Sequence, residues 1–299
     1  MTDPTTATPA GSSVIHDLGY RPYTGPRLGE HAIARALVLT GFRNTFGLGR
    51  SAKSKVLPFI LLALNVFPAV IIVGVLVLTG ADELPIGYAQ YASVTQVILG
   101  IFVAAQAPVM FSRDLRHGSI ALYLARPLRS GTYALARWTS LLLATLVFLL
   151  LPILLMFVFA LLAGLDVSDQ VDATARAVGV AVLLALSLTG VAGLIASWST
   201  RRGFAVVATI AVLLIGNGIV MAVQGISGEE GRTDIGEVAG LFSPYSLYRG
   251  VAHAFADGEM PMAPPTGTAM QAAYVFVLLA ISAACVGGLL WRYRKVASG

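Results

Sequence analysis

Charge is scarce in this chain. Only 12% of its 299 residues are Asp, Glu, Lys or Arg, against 57% hydrophobic residues and a mean hydropathy of +0.80. A soluble domain is about a quarter charged, so a water-facing fold is excluded and lipid must solvate most of the apolar surface. Cysteine is nearly missing as well. Cys285 is the only one, which rules out a disulfide framework or a cysteine metal site within one chain. It sits mid-span among Ala and Gly, where a free thiol packs as a small apolar group. Neither HExxH nor GxSxG occurs, so a zinc or serine hydrolase within the membrane has no support. His253 stands alone, with no second ligand near it, and reads as structural or solvated. No catalytic, cofactor-binding or metal-ligating residue is assigned.

The most consequential absence is inside the apolar stretches. A helix needs about 20 residues to cross about 30 Å of hydrocarbon. Six stretches qualify: Val56–Thr79, Tyr88–Ser112, Trp138–Ala163, Ala177–Trp198, Phe204–Val223 and Met270–Trp291. None holds an Asp, Glu, Lys, Arg or His in its interior. Proton relays and voltage sensors place such groups at membrane depth, so any active transport must draw its energy from outside these spans. Pro58, Pro68, Pro108 and Pro152 fall within spans, where neighbouring helices re-satisfy the carbonyls a proline frees.

Charge, where it occurs, is sorted by side. All but three of the twenty Lys and Arg lie in the N-terminal segment, the 113–137 loop, the 199–203 turn and the C-terminal end, with only Asp3, Asp17, Glu30 and Asp114 among them. Arg176, Arg232 and Arg249 share the other loops with the remaining acids. The positive-inside rule puts both termini in the cytoplasm of a multi-pass plasma-membrane protein. Trp138, Trp198 and Trp291 then mark the cytoplasmic ends of spans as interfacial anchors. The pI near 9.5 reflects topogenic charge, and no nucleic-acid partner is expected. Gly47 to Ser54 falls one residue short of a phosphate-binding loop. Ala52 replaces its second Gly and no strand precedes it, so Arg50, Lys53 and Lys55 read as charges at the foot of the first span that attract anionic lipid.

Three segments exceed what a connection requires. Residues 1–27 are polar, Pro- and Thr-rich, and read as a disordered tail. They do not read as a cleavable signal, since apolar sequence begins only near Val56. Residues 28–55 hold a proline-free juxtamembrane helix of poor amphipathicity, and 56–295 form the membrane domain. In the 113–137 loop Gly118 and Pro127 bracket a two-turn helix, with Ser119 as its cap. So short a helix is not stable alone; packing on its own bundle and docking on a partner are both open. Between spans five and six, Ser243 and Pro244 start a helix of about 13 apolar residues ending at Asp257-Gly258. It is too short to span and could re-enter the outer leaflet. Asn65, Gln96, Gln106 and Asn217 lie within spans or at their edges and could line a pathway or bond between helices. Ala280, Ala284 and Gly288 set a four-residue spacing for close helix approach.

The run from Arg113 to Arg129 resembles the loop between the second and third spans of ABC-2 type transporter permeases, as do the six-span layout, the helix before the first span and the Ser-Pro element of the long external loop. The resemblance implies an all-α polytopic protein with a cytoplasmic coupling helix made by Gly118, Ser119, Ile120, Leu122, Tyr123 and Leu124, with Arg126, Pro127 and Arg129 at its exit. It also implies two separate ATPase subunits carrying ATP and Mg, and a second permease chain, identical or homologous. The chain itself would hold no cofactor and would not be an enzyme. Export of a hydrophobic or amphipathic cargo (a drug, lipid or peptide) is the function implied. A permease of a metal-assembly or nutrient system, and a six-span scaffold or signalling partner without translocation, are the alternatives.

Overall fold

The computed structural model describes residue 25 and residues 29–125 and 128–298. The described residues form helices joined by turns, with no strand among them. Six helices are long and apolar enough to cross a membrane: Ala52–Thr79, Gln96–Arg116, Ser130–Leu162, Val167–Trp198, Arg202–Glu229 and Gly267–Ala297. They are called the first to sixth spans. The expected tail lies almost wholly outside the described residues, as do Arg126 and Pro127 and the side chains of Ser119 and Leu124.

Helix is the consequence of solvent as much as of propensity: in lipid, a backbone amide that does not bond within its own segment stays unsatisfied. The helices therefore run past the apolar stretches they contain. The third begins at Ser130, eight residues before Trp138, and takes in Arg137. The fourth begins at Val167 and takes in Asp169, Asp172 and Arg176. The second departs from the expected continuous segment Tyr88–Ser112. A separate helix, Tyr88–Val94, ends at Thr95, and the span proper starts at Gln96. The Thr95 hydroxyl donates to the Tyr91 carbonyl, 3.2 Å away, and bonds from this short helix to two spans hold the break. Tyr91 donates to the Asn65 carbonyl of the first span, and Tyr88 to Gln170 of the fourth at 2.6 Å.

The second and fourth spans form the core, with most of their apolar windows buried. The first, fifth and sixth keep broad faces uncovered. The sixth packs mainly on the fourth, and the third on the fourth and first. The helix between spans five and six, Pro244–Phe255, starts as the sequence predicts. Ser243 Oγ accepts from the Ser246 amide at 3.4 Å, and Pro244 follows at the first helical position. This helix, called outer because it is not one of the six spans, packs against the fourth and sixth spans and against Tyr88–Val94. Tyr248 donates to the Ala89 carbonyl, and Tyr245 to the Gln96 carbonyl at 3.0 Å.

The helix before the first span, Glu30–Thr45, does not lie free. It runs alongside the start of the third span, with Leu37, Gly41 and Thr45 buried. Gly41 makes this possible: a Cβ there would sit 2.3 Å from the Ser140 hydroxyl. Ser140 also donates to the Val38 carbonyl at 3.1 Å.

Candidate functional site

The ends of the spans nearest the Lys and Arg, here the basic end, hold the most heavily bonded charge among the described residues. The helical run of the second span bends at Phe111, and the short helix Ser112–Arg116 is anchored where Ser112 donates to the Ala196 carbonyl of the fourth span at 2.8 Å. This turns Asp114 inward, where it is 5% exposed. Arg137, on the second turn of the third span, is 2% exposed and donates through Nη2 to Asp114 Oδ2 at 2.6 Å. Tyr133, one turn earlier, accepts from Arg137 Nε at 3.2 Å and donates to the same carboxylate oxygen at 2.5 Å. Arg113 adds a looser contact to Asp114 Oδ1 at 3.7 Å.

Arginine suits this place. Its planar fork meets a carboxylate and a phenol at once, and its face stacks on rings. The Arg137 guanidinium lies 5.3 Å from the centre of the Tyr133 ring and 5.6 Å from that of Tyr123. Burying two charges costs several kcal/mol per ion unless the geometry is good and the remaining lone pairs are bonded. Here the geometry is good at Asp114 Oδ2, which takes both Arg137 and Tyr133, while Oδ1 has only the Arg113 contact at 3.7 Å. The sixth span closes the cluster: Tyr293 is buried, with its ring 5.6 Å from Tyr133 and 6.4 Å from Phe111.

Tyr123 carries the cluster outward. It belongs to the helix Ser119–Leu124, which Gly118 introduces in the left-handed region at φ 63°. Within this loop Ile120 and Leu128 are buried and Tyr123 rests on Arg137, whereas Leu122 is 75% exposed. Six residues cannot hold a helix in water; the inward contacts of Ile120 and Tyr123 tether it. Arg129 is exposed, and its amide donates to Glu30 Oε1 at 3.2 Å.

The amides are dispersed. Asn65 donates to the Phe148 carbonyl of the third span at 2.8 Å. Asn217 accepts from Ser243 at 2.8 Å beneath the outer helix, and Gln106 is buried in the second span. Gln96 Oε1 is buried without a partner among the described residues. Asn65 and Asn217 thus bond to neighbouring elements. Trp198 and Trp291 are exposed and stacked, with centroids 6.2 Å apart, and Arg292 and Lys295 lie over them. Trp138 is more enclosed, close to Gly193 of the fourth span.

Sequence reasoning missed Arg137 and Tyr133. Arg137 adjoins Trp138 and counts there as one more positive charge at a span boundary. The available signal was the four-residue spacing of Tyr133 and Arg137, which puts both on one helix face beside a lone acid in the preceding loop. No family model and no curated protein matches the chain.

Proposed function

We propose that the chain is the permease subunit of an ATP-driven exporter of the plasma membrane, with both termini cytoplasmic, moving a hydrophobic or amphipathic cargo. In this reading Ser119–Leu124 is the coupling helix and docks on a separate ATPase. Two ATPases and a second permease chain complete the assembly. The observation that carries it is the division of labour within that helix: Tyr123 is held against the buried Asp114–Arg137 pair while Leu122 points away, 75% exposed. An isolated two-turn helix with a large apolar residue at its tip gains stability from a partner groove.

The bonds also suit transmission. A push on Leu122 reaches Tyr123 in the same turn. From there it passes through the guanidinium to the third span and through Asp114 to the second. Interfaces of this kind switch between discrete packings and do not deform continuously. The absence of ionisable groups from the apolar stretches agrees with an energy source on another polypeptide.

The test is reconstitution with the ATPase that co-purifies. Leu122→Glu should leave the protein in the membrane at normal abundance but abolish cargo-stimulated ATP hydrolysis. Gly118→Lys should do the same through its backbone, because a side chain at φ 63° is strained although no atom blocks its Cβ. Full cargo-stimulated turnover in both variants with the ATPase bound, or a fully competent chain that binds no ATPase, would overturn the reading.

A further inference from the structure

Beside the Asp114–Arg137 pair, on the outside of the bundle, three separate segments bring cations to one cleft. Its volume is about 110 Å³, and Arg50, Arg113, Arg116, His117 and Arg202 line it, with Ser112 and Thr200 between them. For scale, a water molecule in the liquid takes about 30 Å³, so the space is about that of four waters. Arg50 comes from the turn before the first span, Arg113 and Arg116 from the end of the second, and Arg202 from the first turn of the fifth. Like charges do not gather from three segments without cost. The Arg113 and Arg202 guanidinia, after burial itself, hold the Arg50 pKa below its usual value. Asp114 reaches Arg113 alone, at 3.7 Å, and its other oxygen is taken by Arg137 and Tyr133. Among the described residues Arg50, Arg116 and Arg202 have no carboxylate partner.

The walls are not polar throughout. Pro108 and Val109 of the second span close one side. One turn beyond Arg202, Phe204 and Val207 are about two-thirds exposed, and Trp198 lies nearby, also exposed. A cationic cleft at the foot of the spans, sharing Thr200 with an exposed apolar groove, matches an amphiphile whose anionic group sits among the arginines and whose chains run along the fifth span.

We propose that this cleft binds a phosphate group, carried on an anionic lipid headgroup. The lone carboxylate and the repelling guanidinia identify an anion, and the adjoining apolar wall identifies its carrier. The site requires neither an ATPase nor transport, so it can fail while the exporter reading holds, and the reverse.

The test uses the purified full-length chain in detergent, titrated by native mass spectrometry with phosphatidylglycerol, phosphatidylcholine and inorganic phosphate. Saturable binding of phosphatidylglycerol above phosphatidylcholine is expected. Arg50→Gln/Arg202→Gln should weaken it about ten- to thirtyfold with an unchanged or raised melting temperature. Arg116→Gln, a single change on a side chain as exposed as those two, should give a smaller loss and guards against misfolding of the double variant. Arg35→Gln, outside the cleft, should change nothing. Phosphatidylglycerol binding that survives the double variant and Arg116→Gln alike, or that falls equally in Arg35→Gln, would overturn the site. Inorganic phosphate binding with the same variant sensitivity, and no tighter binding of the lipid, would keep the anion chemistry and overturn its lipid source. Displacement of the lipid by a co-purifying ATPase, with loss of that ATPase in the double variant, would overturn it in favour of protein docking.

Discussion

Two arginines are drawn out of water at opposite ends of this protein, and they are treated differently. Arg137, at the basic end, meets a carboxylate at 2.6 Å, a phenol at 3.2 Å and the faces of two rings. Arg249, in the outer helix, has its Nε and Nη2 buried without a hydrogen-bond partner among the described residues, and its Nη1 reaches only the Met221 sulfur at 3.4 Å. Burial pushes the Arg249 pKa down, with Glu259 too weak an influence to offset it. A guanidinium with its donors satisfied fixes two helices to each other. One with unmet donors costs about 1–3 kcal/mol, so the fold holds it in spite of stability. The basic end is therefore a fixed joint, and the outer helix is packed by its tyrosines around a charge it does not accommodate well.

The largest effect should come from splitting the joint. Arg137→Leu strands Asp114 without its principal partner, at a cost of about 3–5 kcal/mol. Removing both charges with Asp114→Leu/Arg137→Leu should recover much of that loss, since an apolar pair of suitable volume is often neutral. Denaturant unfolding of the purified protein gives both values. If the double variant is as unstable as Arg137→Leu, the joint depends on more than this pair, and the contrast with Arg249 weakens.

A smaller effect of opposite sign is expected at the other arginine. Arg249→Met keeps the volume and removes donors that have no acceptor. Stability should stay level or rise by up to about 2 kcal/mol. A loss comparable to that of Arg137→Leu would mean that Arg249 is in fact well bonded and would erase the distinction.

Much of this was legible beforehand, for identifiable reasons. Hydropathy places spans well because lipid leaves a backbone few alternatives, and Ser243-Pro244 announced the outer helix through local capping chemistry. Local signals could not reveal what distant partners decide. The break at Thr95 is held where Tyr91 donates to a carbonyl of the first span and Tyr88 to Gln170 of the fourth, neither visible from the apolar run itself. The helix before the first span has weak amphipathicity because it buries a narrow stripe, Leu37, Gly41 and Thr45, against the third and second spans. Arg137 looked like an edge charge since its partner lies in another loop. Leu122 and Ile120 are two residues apart and alike in composition. Only the packing separates an outward residue from an inward one.

The smallest effect concerns a charge at the surface of the same basic end. Glu30 accepts from the Thr132 hydroxyl at 2.5 Å and from the Arg129 amide at 3.2 Å, tying the helix before the first span to the start of the third. The Thr132 hydroxyl first, and then the Arg129 amide, hold its carboxyl below the ordinary value of 4.5. A lowered folded-state pKa gives a contribution that is fully present above the unfolded value and is lost as pH falls through the folded one. Spin labels at Leu39 and Leu151, both exposed beside the groove between these helices, would report the contact. Their distance distribution should broaden between pH 7 and about pH 3 in the wild type. Glu30→Gln, which can still accept both hydrogen bonds but cannot ionise, should show no such step. An identical acid step in Glu30→Gln would assign the change to another carboxylate.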